Sequence, residues 1–527
     1  MCRPIEIPQP SFDQPNPDQP NPDPYVEDYP TQCDEWAGHV GGSCYPSIPV
    51  NQSTMGPPVM QGSMDDLSCL APLTRLQMLT LSNLNLTAGA LPSSLSALTS
   101  LSLLDLSFLR ITRLPKWISS LSRLAYLDVT GTFDVHRIAP FPTEWMALSG
   151  LVALRASLNG FTGSIPSTIS ALTSLSNLDL SNNNLSGSIP AGISNLTSLE
   201  YLRLSHNNLT GAIPPLTHGP FQTIDLSHNH LTTLPPNISS ASEINLSHND
   251  LKGVVPAYGF DLNLKNIDLS YNPLSEISGG LFVDHSVAVV DSLNFSSCNF
   301  SGPFPSLADI RVTNIDVSNN SFTGPFPDVL RNVDAFSYLT NINLAHNNFT
   351  GLLPPNIYGM FMLENLNISH NRFSGVVPSA IWSLLPLRSL AMAHNQLQGS
   401  LPTVMDFVKL TVLELQGNAF SGPVPDLASW KFTSLLVLDV SDNQLNGSLP
   451  DSISRLLTLQ HLGLGGNNLS GPIPAGLGGL IELTSLNISG TRLTCPAVGS
   501  KCVVQQASNS SFCRLCSSFC SSCTPRA

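Results

Sequence analysis

The sequence predicts an α/β solenoid, a right-handed horseshoe or superhelix. A parallel β-sheet would line its concave face and short 3-10 or irregular segments its convex face. Three observations predict this. The thirteen residues 202–214, "LRLSHNNLTGAIP", recur as near-copies beginning at 178, 366 and 462. Aligned along the chain, the same apolar pattern returns at a mean step of about 24 residues. Within each unit a segment x-L-x-L-x alternates with period two, the pattern of a short strand with one face buried. A unit this short buries its apolar face only against its neighbours, so the units must stack.

The pattern is L-x-x-L-x-L-x-x-N-x-L. Its first positions fall at Leu76, Leu101, Leu124, Leu151, Leu175, Leu199, Phe221, Ala241, Leu264, Val290, Val312, Leu339, Leu363, Leu387, Leu410, Leu435, Leu459 and Leu483. A period of 20–29 with this signature identifies leucine-rich repeats. The Asn sits where the chain leaves the strand, and its amide can bond to backbone of its own and the neighbouring turn. The predicted ladder is Asn159, Asn183, Asn207, Asn229, Asn249, Asn272, Asn320, Asn347, Asn371, Asn395, Asn418, Asn443 and Asn467, with Cys298 filling the same slot in its unit. A small buried thiol with a weak donor suits that slot better than a reactive role. Leu84, Leu109, Thr132 and Thr491 occupy the slot at the two ends, where units are sandwiched on one side only.

After the ladder comes Leu/Phe-[ST]-Gly-x-[ILVF]-Pro, as in Gly211 and Pro214. Gly permits a tight bend, and Pro ends pairing and turns the chain outward. Two stretches depart from the period. The units starting at Phe221 and Ala241 are short, and residues 129–150 are long and irregular; either can alter the curvature.

The S-G-x-I-P extension resembles the plant-type subfamily of leucine-rich repeats. That subfamily builds the extracellular domains of receptor-like kinases, receptor-like proteins and polygalacturonase-inhibiting proteins. The resemblance covers roughly residues 70 to 494. Residues 33–44, "CDEWAGHVGGSC", resemble a stretched form of the Cys-containing cap that precedes such repeats, with Cys33, Trp36, Gly38, Val40 and Cys44 in the comparable places. The expected organisation is a disordered Pro-rich arm over 1–32, an N-terminal Cys-containing cap over 33–75, an array of about 18 units over 76–494, and a Cys-rich cap over 495–527.

Ten of the eleven cysteines lie toward the ends. The disulfide candidates are Cys33, Cys44, Cys69, Cys495, Cys502, Cys513, Cys516, Cys520 and Cys523. Clustering at both ends suggests stapled caps and an oxidising compartment. The spacing C-x2-C-x3-C-x2-C at Cys513–Cys523 also raises a zinc site, although its knuckles stand closer than in common zinc ribbons. The opening "MCRPIEIPQPSFDQP" shows no apolar leader, so an extracellular, wall or cell-surface location goes with an incomplete N-terminus.

The net charge of −14 argues against nucleic acid and anionic membrane surfaces. No apolar run approaches the ~18 residues of a membrane span. Charged residues make up only 11% of the chain, and no nucleophile, zinc-protease, nucleotide or kinase signature stands out. The chain therefore reads as a non-catalytic module without cofactor.

Its ligand-facing candidates lie between the scaffold letters. The residue before the ladder Asn is His in six units: His206, His228, His248, His346, His370 and His394. A pH-sensing stripe, a metal column and a plain feature of the repeat are all compatible with that column. The middle strand position is mostly acidic or amide, including Asp225 and Asp268, which suits a basic or polyhydroxylated ligand. Glu200, Tyr201, Arg203, Tyr271 and Arg388 are more distinctive projections, Tyr and Arg being common anchors of binding surfaces. N-x-[ST] sequons at Asn245, Asn294, Asn367 and Asn487 would place glycans on the concave strands.

The expected function is extracellular recognition by a receptor-like ectodomain that lacks a kinase and a membrane span. The resemblance implies a peptide, protein or wall-oligosaccharide ligand and a co-receptor kinase as partner. An inhibitor resembling the polygalacturonase-inhibiting proteins is the alternative, although that family has about half as many units. A structural wall protein tethered by the Pro-rich arm is the third.

Overall fold

The computed structural model describes residues 62–494 except 85, 134–138, 236–237, 239–240, 257–263, 279–287, 306–309 and 328–337. The arm over 1–32, residues 33–61, the tail over 495–527 and every disulfide candidate but Cys69 lie outside the described residues.

One parallel ladder runs the length of the array, with one strand per unit from Met78–Thr80 to Ser485–Asn487. Leu202 lies beside Leu178 on one side and Ile224 on the other, and this pairing repeats from unit to unit. The first strand pairs only with Leu103–Asp105 and the last only with His461–Gly463, so the ladder is open. The alternation of the sequence has its physical result here: Leu202 is fully buried while Tyr201 and Arg203 project outward. Stacked interiors form one continuous apolar core. Where Phe replaces Leu two residues after the ladder, the buried rings of Phe300, Phe322, Phe349 and Phe373 follow one another at 5.6, 6.2 and 6.1 Å.

The ladder asparagines bind the coils together. The Asn207 Nδ2 donates to the carbonyls of Leu180 in the preceding unit (2.9 Å), Leu204 (3.1 Å) and Ser205 (3.2 Å). Its Oδ1 accepts the Leu185 N–H at 3.0 Å. Thus one side chain satisfies buried polar groups in two coils. Cys298 performs only the donor half, its thiol facing Leu269 O at 3.3 Å and Ser296 O at 3.4 Å. Without an amide oxygen there, the Leu274 N–H turns back onto Asn272 O at 2.8 Å. Burial pushes the Cys298 thiol up to about 11, which keeps it protonated and unreactive. Thr132 also donates without offering an amide oxygen, to Val129 O (2.6 Å) and Leu106 O (3.0 Å).

A second parallel ladder flanks the first, an addition to the architecture expected from sequence. It is built from the segment after each ladder residue, such as Asn208–Ala212. Gly211, at φ +82, supplies the backbone conformation that this strand needs and that side chains resist. Prolines such as Pro190 then start short 3-10 helices, here Ala191–Asn195. This second ladder is interrupted around the short units: five strands end at His230–Thr233, two stand alone at Gly253–Val255 and Leu274–Ile277, and nine resume at Ser301–Pro303. Among the described residues no 3-10 helix occurs between Ala191–Asn195 and Pro355–Gly359. At the N-terminal end Ser63 caps the turn Met64–Leu70: its hydroxyl accepts from the Asp65 N–H, while the Asp66 carboxylate accepts from the Ser63 N–H. Cys69 is exposed on that turn.

Candidate binding face

The strands project two columns of side chains into the concave face, and the residue before each ladder position adds a third along the rim. In the strand column Arg203 is in register between Asp179 and Asp225. Its guanidinium lies 5.2 Å from the Tyr201 ring centre, a cation–π contact. The Tyr201 hydroxyl donates to Gln222 Oε1 at 2.7 Å. Beside Tyr201 in register lies Asn177, whose buried Oδ1 has no hydrogen-bond partner. Glu200 precedes this cluster and is half-buried. Further along, Arg388 pairs with Glu364 at 3.1 Å. Arg155 lies 3.9 Å from Asp128, whose carboxyl is held above its ordinary range chiefly by burial.

The acidic column is less available than its letters imply. Asp225 Oδ1 accepts both the N–H (3.1 Å) and the hydroxyl (2.7 Å) of Ser227. Asn245 accepts from Ser247 in the same way. Asp268 uses both oxygens internally, one on the Ser270 N–H and one on Asn294 Nδ2. These carboxylates fasten the strand exit, so the expected acidic face is in part a structural device.

The rim column has a backbone cause. His206, His228, His248, His346, His370 and His394 all have φ between +51 and +55. Asn182, Asn319 and Asp442 share the conformation, and Gly131, Gly417, Gly466 and Gly490 occupy equivalent places. Only Gly, Asn, Asp and His adopt this left-handed region readily. The column is therefore restricted before any ligand is considered. Four residues break the restriction: Ser297, which is half-buried, and Phe108, Leu158 and Tyr271, exposed by 50, 37 and 54%. Phe108 and Leu158 escaped the reading of the sequence, where they look like ordinary apolar variation. Their signal was an apolar letter in a column of Gly, Asn and His.

The rim histidines stack. His206, His228 and His248 follow at 4.1 and 4.2 Å between ring centres, and Tyr271 continues the row at 4.2 Å. His346, His370 and His394 form a second row at 4.1 and 4.4 Å. Burial, then the two flanking imidazoles, pull His228 below its usual range, while Asp225 opposes the shift. His370 is lowered by burial, then by His346 and His394. Among the described residues no group of three His, Cys, Asp or Glu is arranged to hold a metal ion. Nor, among them, is any helix long and apolar enough to cross a membrane.

Comparison with known proteins places these features in context. Family models match in several places: leucine-rich repeats in two copies at 153–218, a leucine-rich repeat at 337–397, and single repeats at 221–241, 311–333, 434–456 and 458–480. No curated protein matches the chain. Among solved structures, the ectodomain of the Arabidopsis thaliana receptor kinase GASSHO1/SCHENGEN3, in complex with CASPARIAN STRIP INTEGRITY FACTOR 2, is 28% identical with a TM-score of 0.65. That match covers 83% of this chain and 56% of the other, so the chain spans little more than half of that ectodomain. The Arabidopsis receptor kinase HAESA, in complex with the peptide hormone IDA and the co-receptor SERK1, is 26% identical with a TM-score of 0.66, covering 82% and 77%. A TDR receptor is 25% identical with a TM-score of 0.60, covering 83% and 88%.

Proposed function

The chain is a leucine-rich-repeat protein similar to the ectodomains of plant receptor kinases, and from that premise we propose that it is a non-catalytic extracellular module that recognises a peptide along its concave face. The observation that carries this reading is the Tyr201–Arg203 cluster. An aromatic ring and a guanidinium stand together on the exposed side of an open parallel sheet, next to the buried and unpartnered Asn177 Oδ1. Tyr and Arg contribute disproportionately to binding energy, and a rigid sheet presents them at low entropic cost. Two of the similar structures hold a named factor or peptide hormone. By the same likeness the partner set includes a co-receptor kinase, and the location is the cell surface or wall. The remaining candidates, Glu200, Asp225, Asp268, Tyr271 and Arg388 with the six rim histidines, surround the path such a peptide takes.

The test is a synthetic peptide library presented to the purified full chain, with Tyr201→Ala and Arg203→Ala as paired variants. The reading predicts a peptide whose affinity drops about tenfold in either variant while the thermal melt is unchanged. A ligand found with equal affinity for the parent and both variants would place recognition elsewhere, and absence of any peptide ligand would remove the reading.

A further inference from the structure

We propose that His346, His370 and His394 form an acid-gated docking rail for a carboxylate-bearing peptide segment. The inference rests on the peptide-recognition reading above and names the chemistry of one part of its ligand.

The left-handed backbone explains a small polar residue or Gly at each of these positions, as Asn319 and Gly417 show on either side. It does not require three titratable rings in succession. Stacked at 4.1 and 4.4 Å, the rings cover one another's faces, so an approaching ligand meets their edges and ring nitrogens. The row is exposed throughout.

What distinguishes this row from the other is the strand column beside it. His206, His228 and His248 run alongside Arg203, Asp225 and Asn245, with Asp268 next to Tyr271. Asp225 acts directly on His228 and offsets part of any positive charge gained there. The second row runs alongside Asn343, Asn367 and Ala391, none of which carries charge. Charged groups on the surrounding elements are few. Asp316, one strand earlier, is bonded to Ser318 and to Asn343 Nδ2. Glu364 is paired with Arg388. Arg372 lies on the flanking second ladder, Glu414 is one strand later, and Asp442 lies beyond Gly417 along the rim. Acidification therefore makes this stretch locally cationic on a chain whose net charge is −14.

Adjacent imidazolium rings at this separation repel one another, so the row resists full protonation alone. A carboxylate held between two ring edges removes that resistance, and binding then takes up protons. An extended peptide places alternate side chains roughly 7 Å apart, so acidic residues at i and i+2 fit within two ring spacings.

The probe is a fluorescent peptide of alternating Gly and Glu, with the Gly/Gln peptide and an oligogalacturonate as comparators. Binding to the full chain is measured by anisotropy at about pH 5 and about pH 7.5. The parent protein is compared with His346→Asn/His370→Asn/His394→Asn, with His206→Asn/His228→Asn/His248→Asn, and with His370→Asn alone. Asn is native to this column, so the fold is retained, and thermal melts verify it. The Glu peptide is expected to bind at least about tenfold tighter at the lower pH, a gain of the size one displaced proton equilibrium supplies. The gain should vanish in the second-row triple variant, shrink in His370→Asn, persist in the first-row variant, and be absent for the Gln peptide. Binding without pH dependence, an undiminished gain in the second-row variant, or the same gain with oligogalacturonate in place of the peptide overturns the proposal. If the library yields a Tyr201-dependent ligand while the Glu peptide fails, the rail falls and peptide recognition stands; if neither binds, both fall.

Discussion

The imidazole of His394 lies over Gly417, its neighbour one unit on along the rim, so closely that any Cβ at Gly417 would collide with the ring. Gly417 also has φ +68, a conformation that side chains other than Asn, Asp and His resist. Gly417→Ala therefore meets two obstacles at once. It should destabilise the protein by about 1–2 kcal/mol from backbone strain alone, with the collision added. Chemical denaturation measures the loss, and the His394 imidazole resonances should move because the ring must leave its place.

Asn207 serves Leu180, Leu204, Ser205 and Leu185 with one amide. Asn207→Ala leaves the Leu185 N–H without its acceptor, whereas Leu180 O keeps Asn183 Nδ2, Leu204 O keeps Asn229 Nδ2 and Ser205 O keeps the Asn182 N–H. With roughly 1–3 kcal/mol for the buried donor left unsatisfied, and the three hydrogen bonds donated by the amide lost besides, the expected cost is about 2–4 kcal/mol. Urea denaturation reads it. A loss under ~1 kcal/mol would mean that the neighbouring coils close over the gap.

The same geometry makes the reverse prediction at Cys298. Its unit lacks the amide oxygen, and the Leu274 N–H bonds locally to Asn272 O instead. Cys298→Asn restores the acceptor in a slot built for it, so stability should be unchanged or higher by up to about 1 kcal/mol. Cys298→Ala removes the thiol's two contacts and should lower stability. Because burial keeps the thiol protonated, thiol reagents should label it only under unfolding conditions.

These two sites show why the scaffold was legible. The strand core and the ladder leave one invariant kind of letter per unit, Leu202 and Asn207 among them, because each solves the same burial problem in every coil. The second ladder left no such letter. Its strand Asn208–Ala212 has one buried residue, Leu209, and a Gly at positive φ, so locally it reads as a turn; its pairing partners lie in other coils. The His column was visible as a column. Its left-handed backbone and its ring-on-ring spacing were not, since both depend on how far one coil is displaced from the next. Likewise the Asp225 side chain read as ligand-facing because the Ser227 hydroxyl that occupies it is two letters away and common in the repeat.

Asp225 separates structural from electrostatic roles. Asn245 makes the same pair of bonds to Ser247 with an amide, so Asp225→Asn preserves the strand exit while removing a charge. Its stability should change by less than about 0.5 kcal/mol, whereas Asp225→Ala should cost about 1–2 kcal/mol through the two lost hydrogen bonds. Comparing both variants in urea tests the structural role. Equal losses in the two would show that the charge, rather than the Ser227 contacts, matters there.

The stacked histidines also give stability a direction with pH. His228 and His370 are held below the ordinary imidazole range by burial, then by their flanking rings. The folded chain thus binds fewer protons than the unfolded chain in the window below about pH 6.5. Stability must then fall as pH drops through that window, and above it these two groups contribute no pH dependence. Both rings are largely exposed, so the effect is small and is best seen as a difference between variants. His228→Asn/His370→Asn should lose less melting temperature than the parent between about pH 7 and about pH 5, with the two proteins converging at the higher pH. Replacement of both outer partners, as in His346→Asn/His394→Asn, should move the His370 titration upward when followed by NMR, since it removes two neighbouring cations. An unchanged His370 titration there would mean that burial alone sets its position and that the rings of the row do not interact.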